Sequence, residues 1–268
     1  MQIMKNLPET LKILFVGNSF SVDTAQHLPE IASAFGVKNI HIGVLYIGGC
    51  STRKHYANIT EAIKGYDYYE SFAKNGEWSC KNGVSSNEAI VSDDWDFIAL
   101  QHGTIDGSRN TDVQYYDKLA PLVAAVRAIA PERAKIVFNM HWVGEPWHTH
   151  PEIVSFGGDT NKMYEIITEI VQGYVAKTPL LDCITPVGTA IQNARTSKIK
   201  TLNRDGYHLS LGAGRYIAAL AFFASLTGAD ASDINWFYED MTDYEREIAI
   251  ESVKHALITP YSVTNSKV

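Results

Sequence analysis

Residue types that could perform chemistry are concentrated in five short segments. They are GNS at 17–19, GGC at 48–50, QHG at 101–103, HW at 141–142 and DGYH at 205–208. A serine hydroxyl becomes a nucleophile when a neighbouring base takes its proton, so serine, histidine and aspartate together are the residue types of acyl transfer. Each segment alone has a simpler interpretation. Ser19 or Ser21 could cap a helix, Gly48-Gly49 could form a turn, and Asp205 and His208 could be a turn beside a surface histidine.

The elements that must position these segments follow from the apolar pattern. Five short runs predict buried strands, at residues 11–16, 39–46, 96–101, 134–140 and 179–184. Apolar residues at three- and four-residue spacing predict helices at 24–35, 116–130, 161–177, 212–228 and 242–257. Repeated strand-then-helix order indicates a mostly parallel five-stranded sheet with helices on both faces. Ligands bind beyond the carboxyl ends of such strands, which is where the first four segments lie.

Residues 52–95 interrupt this order. The stretch is polar and aromatic, and we interpret it as an elaboration on the ligand-binding edge of the sheet. Ser85 and Glu88 have the spacing of a capping box, which predicts a short helix before the third strand.

Length and composition bound the class of protein. A chain of 268 residues fits one domain, 1–268, and its formal net charge of −7 offers no basic field for nucleic acid or an anionic membrane. Three cysteines are too few for a disulfide scaffold. The opening MQIMKNLPET lacks the apolar core of a signal peptide, so we expect a cytoplasmic protein, although an exported protein that has lost its leader would have the same sequence.

Taken in order, the segments resemble the SGNH/GDSL hydrolase superfamily. The likeness runs from ILFVGNSFS through IGGCS and WDFIALQHG to DGYHLS, in a branch that has GNSFS where other members have GDS. The resemblance implies a flavodoxin-like three-layer α/β/α sandwich. It also implies that Ser19 is the nucleophile, His208 its base and Asp205 the group that orients His208. The oxyanion hole would be formed by the backbone N–H groups of Ser19 and Gly49.

The third segment departs from the family pattern. Most members have Gly-x-Asn-Asp there, with an Asn amide that donates into the oxyanion hole, whereas this chain has LQHGTIDG. We expect Gln101 to supply the missing amide donor. His102 is then either a substrate contact or a polar loop residue.

Other residues compete for a role. Ser21 is the alternative nucleophile, and Cys50 invites a thiol mechanism, although no histidine is assigned to it. The stretch HWVGEPWHTH could bind a metal through its histidines, but it lacks a recognised metal-binding spacing, so we expect neither metal nor cofactor. We expect His141 and Trp142 to line the substrate cleft, where Trp142 and Trp147 could stack on a sugar or be core residues.

The resulting prediction is a metal-independent serine esterase that removes acetyl or another small acyl group from a carbohydrate. Its partner is a small-molecule or glycan ester. The carbohydrate part is what similar family members imply. The alternatives are a lipid or thioester acyl hydrolase, and a non-catalytic glycan-binding domain that retains the fold.

Overall fold

In the part of the chain that the structure describes, seven strands and ten α-helices form three layers. The structure is a computed structural model that describes residues 7–72, 77–199 and 202–268. The strands are β1 (Thr10–Gly17), β2 (Asn39–Tyr46), β3 (Tyr66–Ser71), β4 (Ser79–Val84), β5 (Phe97–Leu100), β6 (Lys135–Asn139) and β7 (Cys183–Thr185). The helices are α1 (Ser19–Ala25), α2 (Leu28–Ala34), α3 (Thr52–Thr60), α4 (Ser86–Ile90), α5 (Leu119–Ile129), α6 (Pro151–Ser155), α7 (Thr160–Gly173), α8 (Val187–Ala194), α9 (Ala213–Thr227) and α10 (Asp243–Ile258).

The sheet has the strand order β4-β3-β2-β1-β5-β6-β7. Strands β2, β1, β5, β6 and β7 are mutually parallel, whereas β3 and β4 are antiparallel to their neighbours. In the register, Gly17 pairs with Tyr46 and Val16 pairs with Leu100, so β1, β2 and β5 end at the same edge. Segments that follow these strands therefore meet there.

The α/β/α prediction is confirmed, and the strand count needs one correction. Four parallel strands lie where the sequence predicts them, the fifth, β7, starts four residues later than the predicted 179–184 run, and the sheet has seven strands in the described chain. The two extra strands lie in the 52–95 stretch, whose polar sequence lacks the apolar run of a buried strand. A hairpin of β3 and β4 pairs with β2 and widens the sheet sideways. Residues 73–76 lie outside the description.

Strand residues alternate between two apolar cores. Leu11, Ile13 and Phe15 of β1 pack in the core beneath α1, α2, α8, α9 and α10. Leu14 and Val16 face the opposite core, beneath α3 to α7. Because successive strand side chains point to opposite faces, a buried run on both faces of β1 requires a helical layer on each side.

The predicted helix at 24–35 is two helices with an earlier start. The first, α1, begins at Ser19, and α2 begins at Leu28 with Pro29 in its first turn. Proline has no N–H to donate to the preceding turn, so it ends one helix and starts another. The capping box at Ser85 and Glu88 is confirmed at the start of α4. Among the described residues, no helix combines the length and apolarity needed to cross a membrane.

Candidate active site

Ser19 is the first residue of α1, directly after the end of β1. The turn is tight: a Cβ added to Gly17 would lie 1.9 Å from Ser21 Oγ, so this position requires glycine. Asn18 is the N-cap, and its side-chain oxygen accepts the backbone N–H of Phe20 at 3.0 Å. The cap is therefore Asn18, which leaves the Ser19 hydroxyl free for another partner.

Asn18 also ties the loops around Ser19 together. Its Nδ2 donates to the carbonyl oxygens of Cys50 at 3.2 Å and His102 at 3.1 Å. One buried amide thus joins the turn after β1 to the turns after β2 and β5. The arrangement fixes these three backbones relative to one another.

The structure brings Ser19, His208 and Asp205 together. Ser19 Oγ lies 2.9 Å from His208 Nε2, and His208 Nδ1 lies 2.7 Å from Asp205 Oδ2. An ionised carboxylate only accepts hydrogen bonds, so the proton of a neutral His208 is on Nδ1 and Nε2 accepts from Ser19. The distances and tautomer are those required for His208 to remove the Ser19 proton.

Asp205 is held in its ionised form. Partial burial would raise the pKa of its carboxyl, but hydrogen bonds from the His208 ring and from the backbone N–H groups of Tyr207 and His208 outweigh that effect and lower the pKa to about 2. Its Oδ1 accepts those two backbone N–H groups at 2.9 Å and 2.7 Å. The spacing of three residues thus lets one carboxylate both close the turn and orient the imidazole.

A buried aspartate on α1 anchors the loop that carries His208. Asp23 accepts the backbone N–H of Leu209 at 2.8 Å. It also accepts Arg204 Nη1 at 3.0 Å and Arg215 Nε at 2.8 Å. Because Asp23 lies one helical turn after Ser19, the same short helix positions both the hydroxyl and the loop of its base.

Ser19 and Gly49 both line the cavity at the end of β1. In the described chain, the N–H groups of Ser19 and Gly49 donate to no other residue. Gly49 has a φ of +62°, a left-handed conformation that favours glycine, and its carbonyl accepts the Ile105 N–H at 2.8 Å. Donors of this kind can stabilise an oxyanion, so the oxyanion hole that the resemblance implies stays a prediction.

Gln101 does not reach this position, which corrects its expected role. Its side chain is fully buried behind the end of β5, where Oε1 accepts the Ser21 hydroxyl at 2.7 Å and Nε2 points to the Asn139 carbonyl at 3.5 Å. Ser21 is likewise buried, so its hydroxyl serves the packing of α1 on the sheet. The amide N–H that the sequence assigns to the oxyanion is thus directed toward the Asn139 carbonyl at the end of β6.

A small cavity of about 30 Å³ opens at Ser19. Its lining comes from the turns after β1, β2 and β5 and from the His208 loop: Asn18, Ser19, Phe20, Gly49, His102, Gly103, Thr104, Asn110 and Tyr207. A larger cleft of about 770 Å³ lies between α2 and residues 235–239 and shares no lining residue with it. We place the site at the smaller cavity because only that cavity contains the Ser19 hydroxyl.

The three predicted substrate contacts are differently placed. His102 lines the cavity; its Nδ1 accepts the Thr52 N–H at 3.3 Å, and burial lowers its pKa to about 4. His141 is fully buried, and burial, together with the nearby His102, lowers its pKa to about 3. Trp142 is 2% exposed, stacks on Phe20 with ring centroids 4.0 Å apart, and is a core residue. His141 and Trp142 are therefore buried residues that support the cavity lining and do not face a ligand.

The competing nucleophile and metal interpretations gain no support. Cys50 is buried, which raises the pKa of its thiol far above the ordinary value, and its Sγ lies 3.5 Å from His55 Nδ1. His148 and His150 stack on the Tyr207 ring. Within residues 7–72, 77–199 and 202–268, no group of three His, Cys, Asp or Glu residues is arranged to hold a metal ion.

Several site residues were not predicted from the sequence. Asn18 had a readable signal, since Asn is a favoured N-cap. Asp23 and Asn110 had none, because their roles depend on contacts between distant segments. Asn110 lines the cavity, and its Nδ2 donates to the buried Glu152 carboxylate at 3.2 Å.

The fold is similar to that of a solved GDSL-type structure. A member of the lipolytic protein G-D-S-L family from Veillonella parvula DSM 2008 is similar, with a TM-score of 0.50 and 14% identity over 79% of this chain and 95% of that chain. At that identity the likeness establishes the fold, as the sequence resemblance predicts.

The chain belongs to the family described as Domain of unknown function (DUF4886), which matches residues 12–256. A DUF4886 family protein from Bacteroides uniformis ATCC 8492 is 31% identical, with a TM-score of 0.89, over 96% of this chain and 98% of that chain. No curated protein sequence matches significantly.

Proposed function

We propose that the protein is a serine ester hydrolase that removes acetyl or similarly small acyl groups from a carbohydrate. The observation that carries the proposal is the hydrogen-bonded series Ser19 Oγ, His208 and Asp205, with distances of 2.9 Å and 2.7 Å, at the carboxyl edge of the sheet. Nucleophile, base and orienting carboxylate are the complete set that acyl transfer by serine requires.

In the first half-reaction, His208 Nε2 takes the Ser19 proton while Oγ attacks the ester carbonyl carbon. The carbonyl oxygen becomes an oxyanion, which the N–H groups of Ser19 and Gly49 stabilise. Collapse of this intermediate breaks the bond to the alcohol oxygen. The protonated His208 gives its proton to that oxygen, and the acyl group remains on Ser19.

In the second half-reaction, water attacks the acyl-enzyme with His208 again acting as base. The carboxylic acid leaves, and Ser19 recovers its proton. Asp205 stays ionised throughout and stabilises the imidazolium in both steps.

The size of the cavity supports a short acyl group. A space of about 30 Å³ beside Ser19 is comparable to one methyl group, and its walls include the backbones of Gly49 and Gly103. A Cβ at Gly103 would lie 2.4 Å from the Gly49 carbonyl oxygen, so these two turns are already in contact. Main chain in close contact leaves little room for the cavity to widen on this side, which favours a short acyl group.

The test is hydrolysis of p-nitrophenyl acetate by wild type, Ser19→Ala and the matched control Ser21→Ala. We expect Ser19→Ala to lose activity by at least about a thousandfold and Ser21→Ala to retain it. A fluorophosphonate probe should label wild type at Ser19 only. Equal rates for wild type and Ser19→Ala would refute a serine mechanism. Loss of activity in EDTA would require a metal that the proposal does not include.

A further inference from the structure

Trp147 is an exposed aromatic residue that packs against the loop carrying His208. It lies in the loop after β6, and 68% of its surface is exposed. Its six-membered ring covers Gly206, between Asp205 and Tyr207: a Cβ at position 206 would lie 2.5 Å from Cη2 and 3.0 Å from Cζ2. The indole is therefore in direct contact with the loop that carries His208.

Hydrogen bonds fix the loop that presents this indole. The Glu145 N–H donates to the Gly206 carbonyl at 2.6 Å, and the His148 N–H donates to the Glu145 carbonyl at 3.0 Å. The Arg195 side chain donates from Nη1 to the Gly144 carbonyl at 3.1 Å. A ring held in place before a ligand arrives loses little conformational entropy when it binds.

Proton transfer to the alcohol places the departing oxygen beside the loop that Trp147 contacts. The acyl group occupies the cavity beside Gly49, whereas the departing oxygen must lie at His208 Nε2 to receive its proton. The loop of His208 is the one that Trp147 covers. A group attached to the departing oxygen that extends along this loop would reach the indole.

The surroundings of the indole favour a sugar as that group. Glu145, His148 and Thr149 are polar neighbours in the sequence, and Thr149 is exposed. A pyranose ring has an apolar C–H face and a rim of hydroxyls, which matches an apolar plane with polar groups around it.

We propose that Trp147 is a stacking platform for the pyranose ring that bears the ester. This inference rests on the proposed function, and it assigns the leaving-group side of the same site. Trp147 then acts as a specificity residue that distinguishes sugar esters from simple alkyl esters.

The experiment compares kcat/KM for two acetates, a monoacetylated methyl pyranoside and ethyl acetate, in wild type, Trp147→Ala and Trp147→Phe. We expect Trp147→Ala to lower kcat/KM for the sugar acetate roughly tenfold more than for ethyl acetate, mainly through KM, as for the loss of one aromatic contact. Trp147→Phe should restore most of the difference. Phe72→Ala is the control, since Phe72 is 63% exposed and stacks on His41 near the opposite edge of the sheet.

The outcomes separate this inference from the proposed function. If wild type hydrolyses both acetates but Trp147→Ala lowers both equally, the platform is refuted and the esterase stands. A larger effect on octyl acetate than on the sugar acetate would assign the indole to an apolar alcohol and refute the sugar. If Ser19→Ala hydrolyses the sugar acetate as fast as wild type, the proposed function itself fails.

Discussion

The backbone N–H of Leu209 donates to the carboxylate of Asp23 at 2.8 Å, and this bond joins the loop of His208 to the helix of Ser19. Asp23 is 1% exposed, and Arg204 and Arg215 balance its charge. The backbone N–H of Arg204 also donates to the His208 carbonyl at 2.9 Å. The distance between nucleophile and base therefore depends on a carboxylate that touches neither of them.

Asp23→Asn should weaken both stability and catalysis. The amide can still accept the Leu209 N–H, but it carries no charge for the two arginines. We expect the free energy of unfolding to fall by about 2 kcal/mol, as for loss of hydrogen bonds to a charged group. With the loop less firmly held, kcat for p-nitrophenyl acetate should fall roughly tenfold because misplacement of a base lowers the rate. Urea unfolding and initial rates measure the two effects.

Asp96→Asn is the matched control for that variant. Asp96 is also a buried carboxylate, which accepts the Lys12 N–H at 2.8 Å and pairs with Arg133 near the amino end of β5. We expect a similar loss of stability with kcat preserved. If Asp23→Asn keeps full kcat in a folded protein, Asp23 has only a structural role.

Much of the fold was predictable because local pattern and topology agree. The five parallel strands are short apolar runs between amphipathic segments, and parallel strands place their ends at one edge. The hairpin of β3 and β4 was not predictable in this way. Its strands read YDYYES and SCKNGV, and an edge hairpin needs little apolar alternation because it is only partly buried.

The site residues were likewise predictable only where a sequence pattern places them. Asp205 and His208 are only three residues apart, and the family pattern alone links them to the distant Ser19. Gln101 was misassigned because residue type alone does not say which way a side chain points at the end of a strand. Its buried neighbours Ser21 and Asn139 come from β1–α1 and β6, so the outcome depended on tertiary packing.

Gly49→Ala tests the second oxyanion donor. Alanine at a φ of +62° is strained, by about 1–2 kcal/mol, and relaxation of that strain would turn the residue's N–H away from the oxyanion. We expect kcat for p-nitrophenyl acetate to fall by up to about a hundredfold, the effect of losing one such donor.

Gly157→Ala separates strain from catalysis. Gly157 has a φ of +63°, and a Cβ there would have nothing within 4 Å. The two variants should lose similar free energy of unfolding, while only Gly49→Ala loses kcat. Equal kcat in the two variants would remove the Gly49 N–H from the mechanism.

Three buried histidines should make stability depend on pH. Burial lowers the pKa of His55 to about 3, of His102 to about 4 and of His141 to about 3, from an ordinary value of 6.5. Between pH 6.5 and about 4 the unfolded chain therefore binds more protons than the folded one. Each histidine then lowers the free energy of unfolding by up to about 1.4 kcal/mol per pH unit as the pH falls. The stability that these histidines contribute by staying neutral is fully present above pH 6.5.

His141→Phe should reduce by one the number of protons that the protein takes up on unfolding in this pH range. Neither ring nitrogen of His141 has a partner in the described chain, so an apolar ring of similar shape loses no hydrogen bond. We expect the free energy of unfolding at pH 7.5 to change by less than about 1 kcal/mol. Its slope between pH 6 and 4.5 should decrease by up to about 1.4 kcal/mol per pH unit. Urea unfolding at each pH measures both quantities.

The neighbouring Met140→Leu is the control, since it alters the same buried region without removing a titrating group. Its slope should match that of wild type. An unchanged slope in His141→Phe would mean that His141 is not neutral in the folded protein. A large rise in KM for p-nitrophenyl acetate, in a variant as stable as wild type, would instead restore His141 as a substrate contact, because a residue that only supports the site from below has no direct effect on substrate affinity.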